Sequence, residues 1–291
     1  MREGHGIVVD VDLEKFFDRV NHDILMSKLA KRIKDNRLLK LIRCFLSTGI
    51  FMRGNYNDRL EGVSQGGPFS PFLSNFMLDD LDKELERCGH KLCRCADDAN
   101  IYVRSPGAEE RVLLSVKQFL KNRLKPQVND GKSGCAPVYD RQFPGYRLLD
   151  DGRLVIAPHS VKRMEDKVGA ITQRNRGVSL NLVISELNQI LRGWINYFRF
   201  TAWNSQVAEL DKWIRRKLRC YRIVQRKQGR SLYNFPLKLG VSARNARILT
   251  SSGKGWWRLS IGPPVSQAMG NAWFEKQGLM SLDKQRVLLN V

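Results

Sequence analysis

Hydrophobic and polar positions change their period several times along the chain, and each change marks an element. Ile7-Val8-Val9-Asp10-Val11-Asp12-Leu13 reads as a β-strand entering a core. Its period of two puts Asp10 and Asp12 on one face and Val9 and Val11 on the other. Ile24, Leu25, Leu29 and Ile33 then fall at helical spacing behind Asn21, a residue suited to capping. The pattern predicts a second helix over 37–46, a loop or hairpin over 49–67 and a helix over 71–86. Residues 91–95 and 99–104 read as two strands with only Ala96-Asp97-Asp98 between them, a tight hairpin. A helix over 109–124 and a short strand region to about 149 complete the first part.

After Asp150-Asp151-Gly152 the strand signals fade. Leu180, Ile184, Leu187, Leu191, Trp194 and Phe198 step by three and four, an apolar helical stripe. Leu210, Ile214, Leu218 and Tyr221 repeat it in the next helix. The expected class is α+β, with a mixed domain over 1–150, a helical domain over 151–245 and a basic extension over 246–291.

Composition narrows the functional classes. The chain has 291 residues, 42% of them hydrophobic, which excludes a disordered chain or a disulfide-stapled miniature. Its net charge is +21, unevenly spread. Residues 1–150 hold 25 basic and 21 acidic side chains, whereas 151–291 hold 25 and 8. A whole basic half points to a polyanion as partner. No apolar run reaches the ~18–20 residues that span a bilayer, so no membrane is expected as a partner. The start does not read as a signal peptide. Cys44, Cys88, Cys93, Cys95, Cys135 and Cys220 form no zinc pattern, which fits free thiols in a cytoplasmic setting. A DNA-binding regulator finds no helix-turn-helix or zinc signature here.

Three acids stand where structure alone would not choose them: Asp12 at a strand end, and Asp97 and Asp98 at a hairpin tip. Clustered carboxylates repel and are expensive to bury unless a cation neutralises them. Mg²⁺ accepts such oxygens while keeping sites for phosphate, and a pair of ions serves phosphoryl transfer. An Asp-Asp pair alone is ordinarily a surface turn; the surroundings decide.

Those surroundings resemble the reverse transcriptases encoded by group II introns. Asp12-Leu13-Glu14-Lys15-Phe16-Phe17-Asp18, followed by Asn21-His22-Asp23, is similar to their first carboxylate motif. Gln65-Gly66-Gly67-Pro68-Phe69-Ser70-Pro71-Phe72-Leu73-Ser74-Asn75 resembles their glutamine–glycine motif, and Cys95-Ala96-Asp97-Asp98 takes the place of their Tyr-Ala-Asp-Asp box. Residues 124–133 and Phe143-Pro144-Gly145-Tyr146 resemble the next two motifs. Leu187-Asn188-Gln189-Ile190-Leu191-Arg192-Gly193-Trp194-Ile195-Asn196-Tyr197-Phe198 is similar to the maturase signature. The motifs run in order over nearly the whole chain.

The resemblance implies a right-hand polymerase palm, an antiparallel sheet with packed helices, followed by a helical thumb and maturase region. It implies an RNA-directed DNA polymerase and maturase. Asp12, Asp97 and Asp98, with the carbonyl of Leu13, would hold two Mg²⁺ ions. A primer 3′-hydroxyl would attack the α-phosphate of a deoxynucleoside triphosphate. Phe17 would shut out a ribose 2′-hydroxyl, Gln65 and Gly66 would lie against the nascent pair and template, and Lys132 would sit near the triphosphate. The implied partners are group II intron RNA, an RNA template with a DNA primer, and deoxynucleoside triphosphates.

From Lys212 to Phe274 there is no Asp or Glu but there are 14 Lys and Arg. With Ile214 and Leu218 facing inward, Arg215, Arg216, Arg219 and Arg222 form a charged band that suits phosphates. Trp256-Trp257-Arg258 and Trp203 add rings suited to stacking on unpaired bases, and Arg192 of the maturase signature joins Arg258 among the implied RNA contacts. Trp194 fits the apolar stripe and is expected in a core. No His-Asn-His endonuclease pattern follows, so DNA cleavage is not expected.

Four departures from the family stand out. Relatives place a long fingers region before the first carboxylate strand, whereas Met1 lies 11 residues before Asp12. A truncated or split chain is expected on that ground, with weakened nucleotide affinity and either self-association or a separate fingers fragment. Cys95 replaces the tyrosine of the carboxylate box, Ser64 a proline and Pro144 a leucine. The alternative reading is a catalytically inactive remnant that acts only as an RNA-binding splicing factor.

Overall fold

The computed structural model describes residues 4–289 except 53, 54, 58, 65, 66, 68, 106, 125–127, 203, 204, 227 and 228. The chain divides into two compact units, 1–152 and 153–291.

In the first unit the opening strand β1 spans Ile7–Val11. A 3₁₀ turn over Phe16–Asp18 follows, then α1 (His22–Arg32) and α2 (Asn36–Ser47). The side chain of Asn21 caps α1 by accepting the Ile24 N–H at 3.0 Å, and Asp35 caps α2 through the N–H groups of Arg37 and Leu38. Strands β2 (Ile50–Met52) and β3 (Asn55–Asn57) form a hairpin. Next come α3 (Ser70–Arg87), β4 (Lys91–Cys95), β5 (Asp98–Val103) and α4 (Ala108–Phe119). The helix expected as one piece over 109–124 widens at its end into a π turn, Leu120–Leu124, with both leucines in the core. Strand β6 (Gly134–Pro137) and the short hairpin β7 (Gln142–Phe143) and β8 (Tyr146–Leu148) complete the unit.

The main sheet has the order β4-β5-β1-β6, every pair antiparallel. Register explains the burial. Val9 pairs with Ile101 and Val11 with Ala99, so apolar side chains share one face. That face packs with Leu25 and Leu29 of α1, Leu73, Met77 and Leu81 of α3, and Val112 and Val116 of α4 in one cluster. Each fully buried aliphatic side chain stabilises by about 1.5–3 kcal/mol relative to exposure. One face is therefore spent on the core and the other is left for polar residues.

The second unit opens with a short strand β9 (Leu154–Ile156) and is otherwise helical. Its helices are α5 (Pro158–Ile171), α6 (Leu180–Tyr197), α7 (Ser205–Gln225), α8 (Arg230–Lys238), α9 (Ala243–Ser251), α10 (Trp256–Leu259), α11 (Pro263–Ala268), α12 (Asn271–Lys276) and α13 (Leu282–Leu289). The α6 stripe is buried except for Trp194, which is half-buried and packs on Phe198 at 5.2 Å. Leu210, Ile214, Leu218 and Tyr221 bury the matching stripe of α7. Asn188 ties α6 to a distant turn: its amide donates to Gly278 O at 2.7 Å and its carbonyl accepts from Met280 N at 2.9 Å. The predicted α+β class and the palm-like antiparallel sheet followed by a helical region are what the structure has. Among the described residues, no helix is long and apolar enough to cross a membrane.

Candidate active site

The alternation that sends Val9 and Val11 into the core sends Asp10 and Asp12 to the other face of β1. Asp10 lies opposite Asn100, and Val11 opposite Ala99. One step further along both strands stand Asp12 and Asp98. The same face of β4 presents Cys93 and Cys95, in register with Asn100 and Asp98. Asp97 sits beside Asp98 in a two-residue turn whose first residue, Ala96, has φ +57°. The expected hairpin tip is thus present, one residue tighter than the pattern suggested.

The acids feel one another. Burial pushes the Asp98 carboxyl above the usual carboxylate range, and the charges of Asp97, Asp12 and Asp10 push it further, with Lys132 acting the other way. Asp10 is also raised, first by burial, with Arg141 opposing and Asp12 adding. Lys132 places Nζ 3.4 Å from Asp12 Oδ2. Among the described residues, no three His, Cys, Asp or Glu side chains are drawn together tightly enough to hold a metal ion. The donor set still fits a hard divalent cation, because all its side chains are carboxylates and their mutual repulsion is what a cation relieves.

Neighbouring groups hold these acids in place, and several lay outside the sequence reading. Ser133 Oγ accepts the Asp12 N–H at 2.9 Å and donates back to Asp12 O at 3.3 Å. Asn129 N donates to the same carbonyl at 2.8 Å. Leu13 forms an isolated antiparallel bridge with Val128. Arg94, on the opposite face of β4, grips Asp82 with Nε and Nη2 and reaches Asn75 Oδ1 and Ala96 O with Nη1. Arg141 pairs with Asp10 at 3.2 Å and lies over Gly134, where a Cβ would stand 3.2 Å from its guanidinium. Arg94 and Arg141 carried no signal in the sequence, because their partners are distant along it.

Phe17 is half-buried, set edge-on to Phe16 at 5.5 Å and packed against the core. Its carbonyl accepts the Val63 N–H at 2.6 Å. Gly62 makes this approach possible: φ is +86°, and a Cβ there would stand 2.6 Å from Asp18 O. His22 Nε2 lies 2.7 Å from Gly62 O, so the strap leading to Gln65 is fixed on α1. Gln65 and Gly66 themselves lie outside the described residues, as does Trp203.

In the second unit the arginines of α7 are half-buried rather than arrayed in solvent. Arg215 pairs with Asp211, which is itself 1% exposed. Arg216 stacks on Trp257 at 3.8 Å, and Arg219 Nε donates to Met269 O at 2.9 Å. Arg222 lies 5.6 Å from the Phe235 ring. Burial holds both Arg219 and Arg222 below the usual guanidinium range, each helped by a neighbouring arginine. The cause of this difference is that rings and carbonyls from later helices fold back over α7, contacts that a single helical wheel does not display. Arg192 and Arg258 are exposed.

Residues 2–148, just over half of the chain, match the family "Reverse transcriptase (RNA-dependent DNA polymerase)". Residues 161–235 match "Group II intron, maturase-specific domain". The chain is 40% identical over 177 residues to protein YkfC of Escherichia coli, a stretch covering 49% of this chain and 46% of that protein. It is 36% identical over 75 residues to the group II intron-encoded protein LtrA of Lactococcus lactis, 26% of this chain and 12% of that one. The matched stretches thus span about half the length of the first relative and far less of the second. Apo telomerase from Candida tropicalis aligns over 74% of this chain and 47% of its own at 12% identity, with a TM-score of 0.46.

Proposed function

Since the chain belongs to the reverse transcriptase (RNA-dependent DNA polymerase) family and carries a group II intron maturase-specific domain, we propose that it extends a DNA primer on an RNA template and binds group II intron RNA for splicing and mobility. The observation that carries the reading is the placement of Asp12 and Asp98 at one end of two neighbouring antiparallel strands, close enough for the charge of Asp12 to help raise the Asp98 carboxyl.

In this reading Asp12, Asp97 and Asp98, with the Leu13 carbonyl, hold two Mg²⁺ ions, which when bound supply charge neutralisation and activation of the attacking hydroxyl. Lys132 contributes a further positive charge at the Asp12 edge, where a triphosphate would arrive. Phe17 borders the sugar, and Gln65 and Gly66 the template. Palm over 1–150, thumb and maturase region over 151–245 and a basic extension over 246–291 divide the work between chemistry and RNA grip. Arg192, Trp257 and Arg258, the exposed members of the set, belong to that grip, and Arg215, Arg216, Arg219 and Arg222 brace it from behind through their contacts with Asp211, Trp257, Met269 and Phe235. A cytoplasmic site of action in a bacterium fits the free thiols.

The reading as an inactive remnant is not favoured, because all three acids persist on a folded palm. The test is direct. The purified chain, an RNA template, a DNA primer, deoxynucleoside triphosphates and Mg²⁺ are expected to give primer extension that Asp98→Asn abolishes. Absence of extension, with salt-sensitive RNA binding retained, would overturn the polymerase half of the proposal.

A further inference from the structure

A cavity of about 560 Å³ in the second unit is lined by Gly169, Thr172, Gln173, Arg174, Asn175 and Lys217. No carboxylate lines it. Among the described residues neither Arg174 nor Lys217 forms an ion pair; Arg174 hydrogen-bonds the Cys220 thiol and Lys217 lies over two tryptophan rings, so no carboxylate offsets either charge. Cys220 registers the same field from beneath: burial pushes its thiol up, while the charges of Arg174, Lys217 and Arg216 pull it down.

The end of a helix would ordinarily aim carbonyl oxygens at such a place and repel an anion. Here those oxygens are occupied. Val168 O accepts from Thr172 Oγ1 at 2.6 Å, Ala170 O from Gln173 N at 3.4 Å and Ile171 O from Arg176 Nη1 at 2.6 Å. Arg176 is itself neutralised by Glu186, at 2.7 Å. What the cavity offers a ligand is therefore mainly donors. Beside it, Lys217 Nζ lies 5.0 Å from the Trp213 ring and 5.6 Å from the Trp257 ring. Trp257 is 37% exposed.

We infer that this cavity is a phosphate-binding site for RNA, with Arg174 and Lys217 holding a phosphodiester. The inference rests on the RNA-binding half of the proposed function and gives it a specific seat. Gly169 leaves the entrance clear, since a Cβ there would meet nothing within 4 Å.

The experiment measures binding of a single-stranded RNA oligonucleotide to the full chain across a salt series, with inorganic phosphate as competitor. Arg174→Gln combined with Lys217→Gln removes the charges. Gly169→Glu, whose Cβ would meet nothing within 4 Å, brings a carboxylate to the cavity wall against the two cations. Both are expected to weaken binding at least about tenfold at low salt, the loss that even one charged hydrogen bond brings. The salt slope should fall by about 0.7 for each phosphate released. Unchanged affinity and slope in both proteins would overturn the inference, as would weakening confined to the charge variant. Should inorganic phosphate bind the wild type and not Gly169→Glu while RNA binding stays equal in the two, the cavity takes free phosphate and the assignment to RNA fails. Failure of primer extension with RNA binding intact would strike only the polymerase reading.

Discussion

Nη1 of Arg94 donates to the carbonyl oxygen of Ala96 at 2.9 Å, tying a strand residue to the left-handed tip that carries Asp97. The same guanidinium grips Asp82 and is only 9% exposed. Arg94 is thus a strut between α3 and the hairpin tip. Arg94→Gln leaves Asp82 without its partner, and removing one member of such a pair costs about 3 kcal/mol. Thermal unfolding should show that loss. Primer extension should show a fall in kcat with little change in KM, because the tip moves while the nucleotide contacts remain. Arg94→Lys should not restore either, since a single ammonium cannot serve Asp82, Asn75 and Ala96 in that planar arrangement.

Asp98 is expected to trade stability for chemistry. Its carboxyl is raised by burial and by three neighbouring acids, so the folded chain binds its proton more tightly than the unfolded chain does. The sign follows: this group's contribution is most favourable below the ordinary carboxylate value of 3.8 and is lost as pH rises through the higher folded value. Asp98→Asn should therefore unfold at a higher temperature than the wild type at pH 7 while extending no primer. Added Mg²⁺ should raise the unfolding temperature of the wild type and leave that of the variant nearly unmoved. Calorimetry with and without the ion checks both.

Ser133 holds both backbone polar groups of Asp12, so Ser133→Ala should act on catalysis before it acts on folding. The two hydrogen bonds lost are worth about 1 kcal/mol each. A drop in kcat of about tenfold with KM unchanged is expected, and Ser133→Thr, which keeps the hydroxyl, should recover most of it. Equal kcat in the alanine variant would show that the Asp12 backbone needs no such anchor.

Gly62→Ala should be far more damaging than Gly89→Ala. Both glycines have positive φ, +86° and +78°. Around Gly89 there is open space, so the alanine carries only the strain of a left-handed conformation, about 1–2 kcal/mol. At Gly62 the new methyl would also collide with the Asp18 and Phe17 carbonyls at 2.6 and 2.9 Å. Denaturant titration of the two variants separates strain from collision, and equal midpoints would show that the strap yields freely.

Local signals carried well from sequence to structure. The alternation in Ile7–Val11, the Asn21 cap and the stripes of α6 and α7 each depend on residues a few positions apart, where strand and helix periods operate. The seat of Asp12 opposite Asp98 needed the motif resemblance, because register between distant strands is not written in either strand. Arg94 stayed hidden since Asn75 lies 19 residues away and Asp82 12. The α7 arginines look solvent-facing on a helical wheel, yet Trp257, Met269 and Phe235 arrive from later helices to cover them.

The Ser133 anchor joins residues 121 positions apart. Closing so long a loop carries an entropic cost that grows only with the logarithm of its length. The seat of Asp12 is thus fixed by a residue just before β6, on the opposite side of β1 from the strand that carries Asp98.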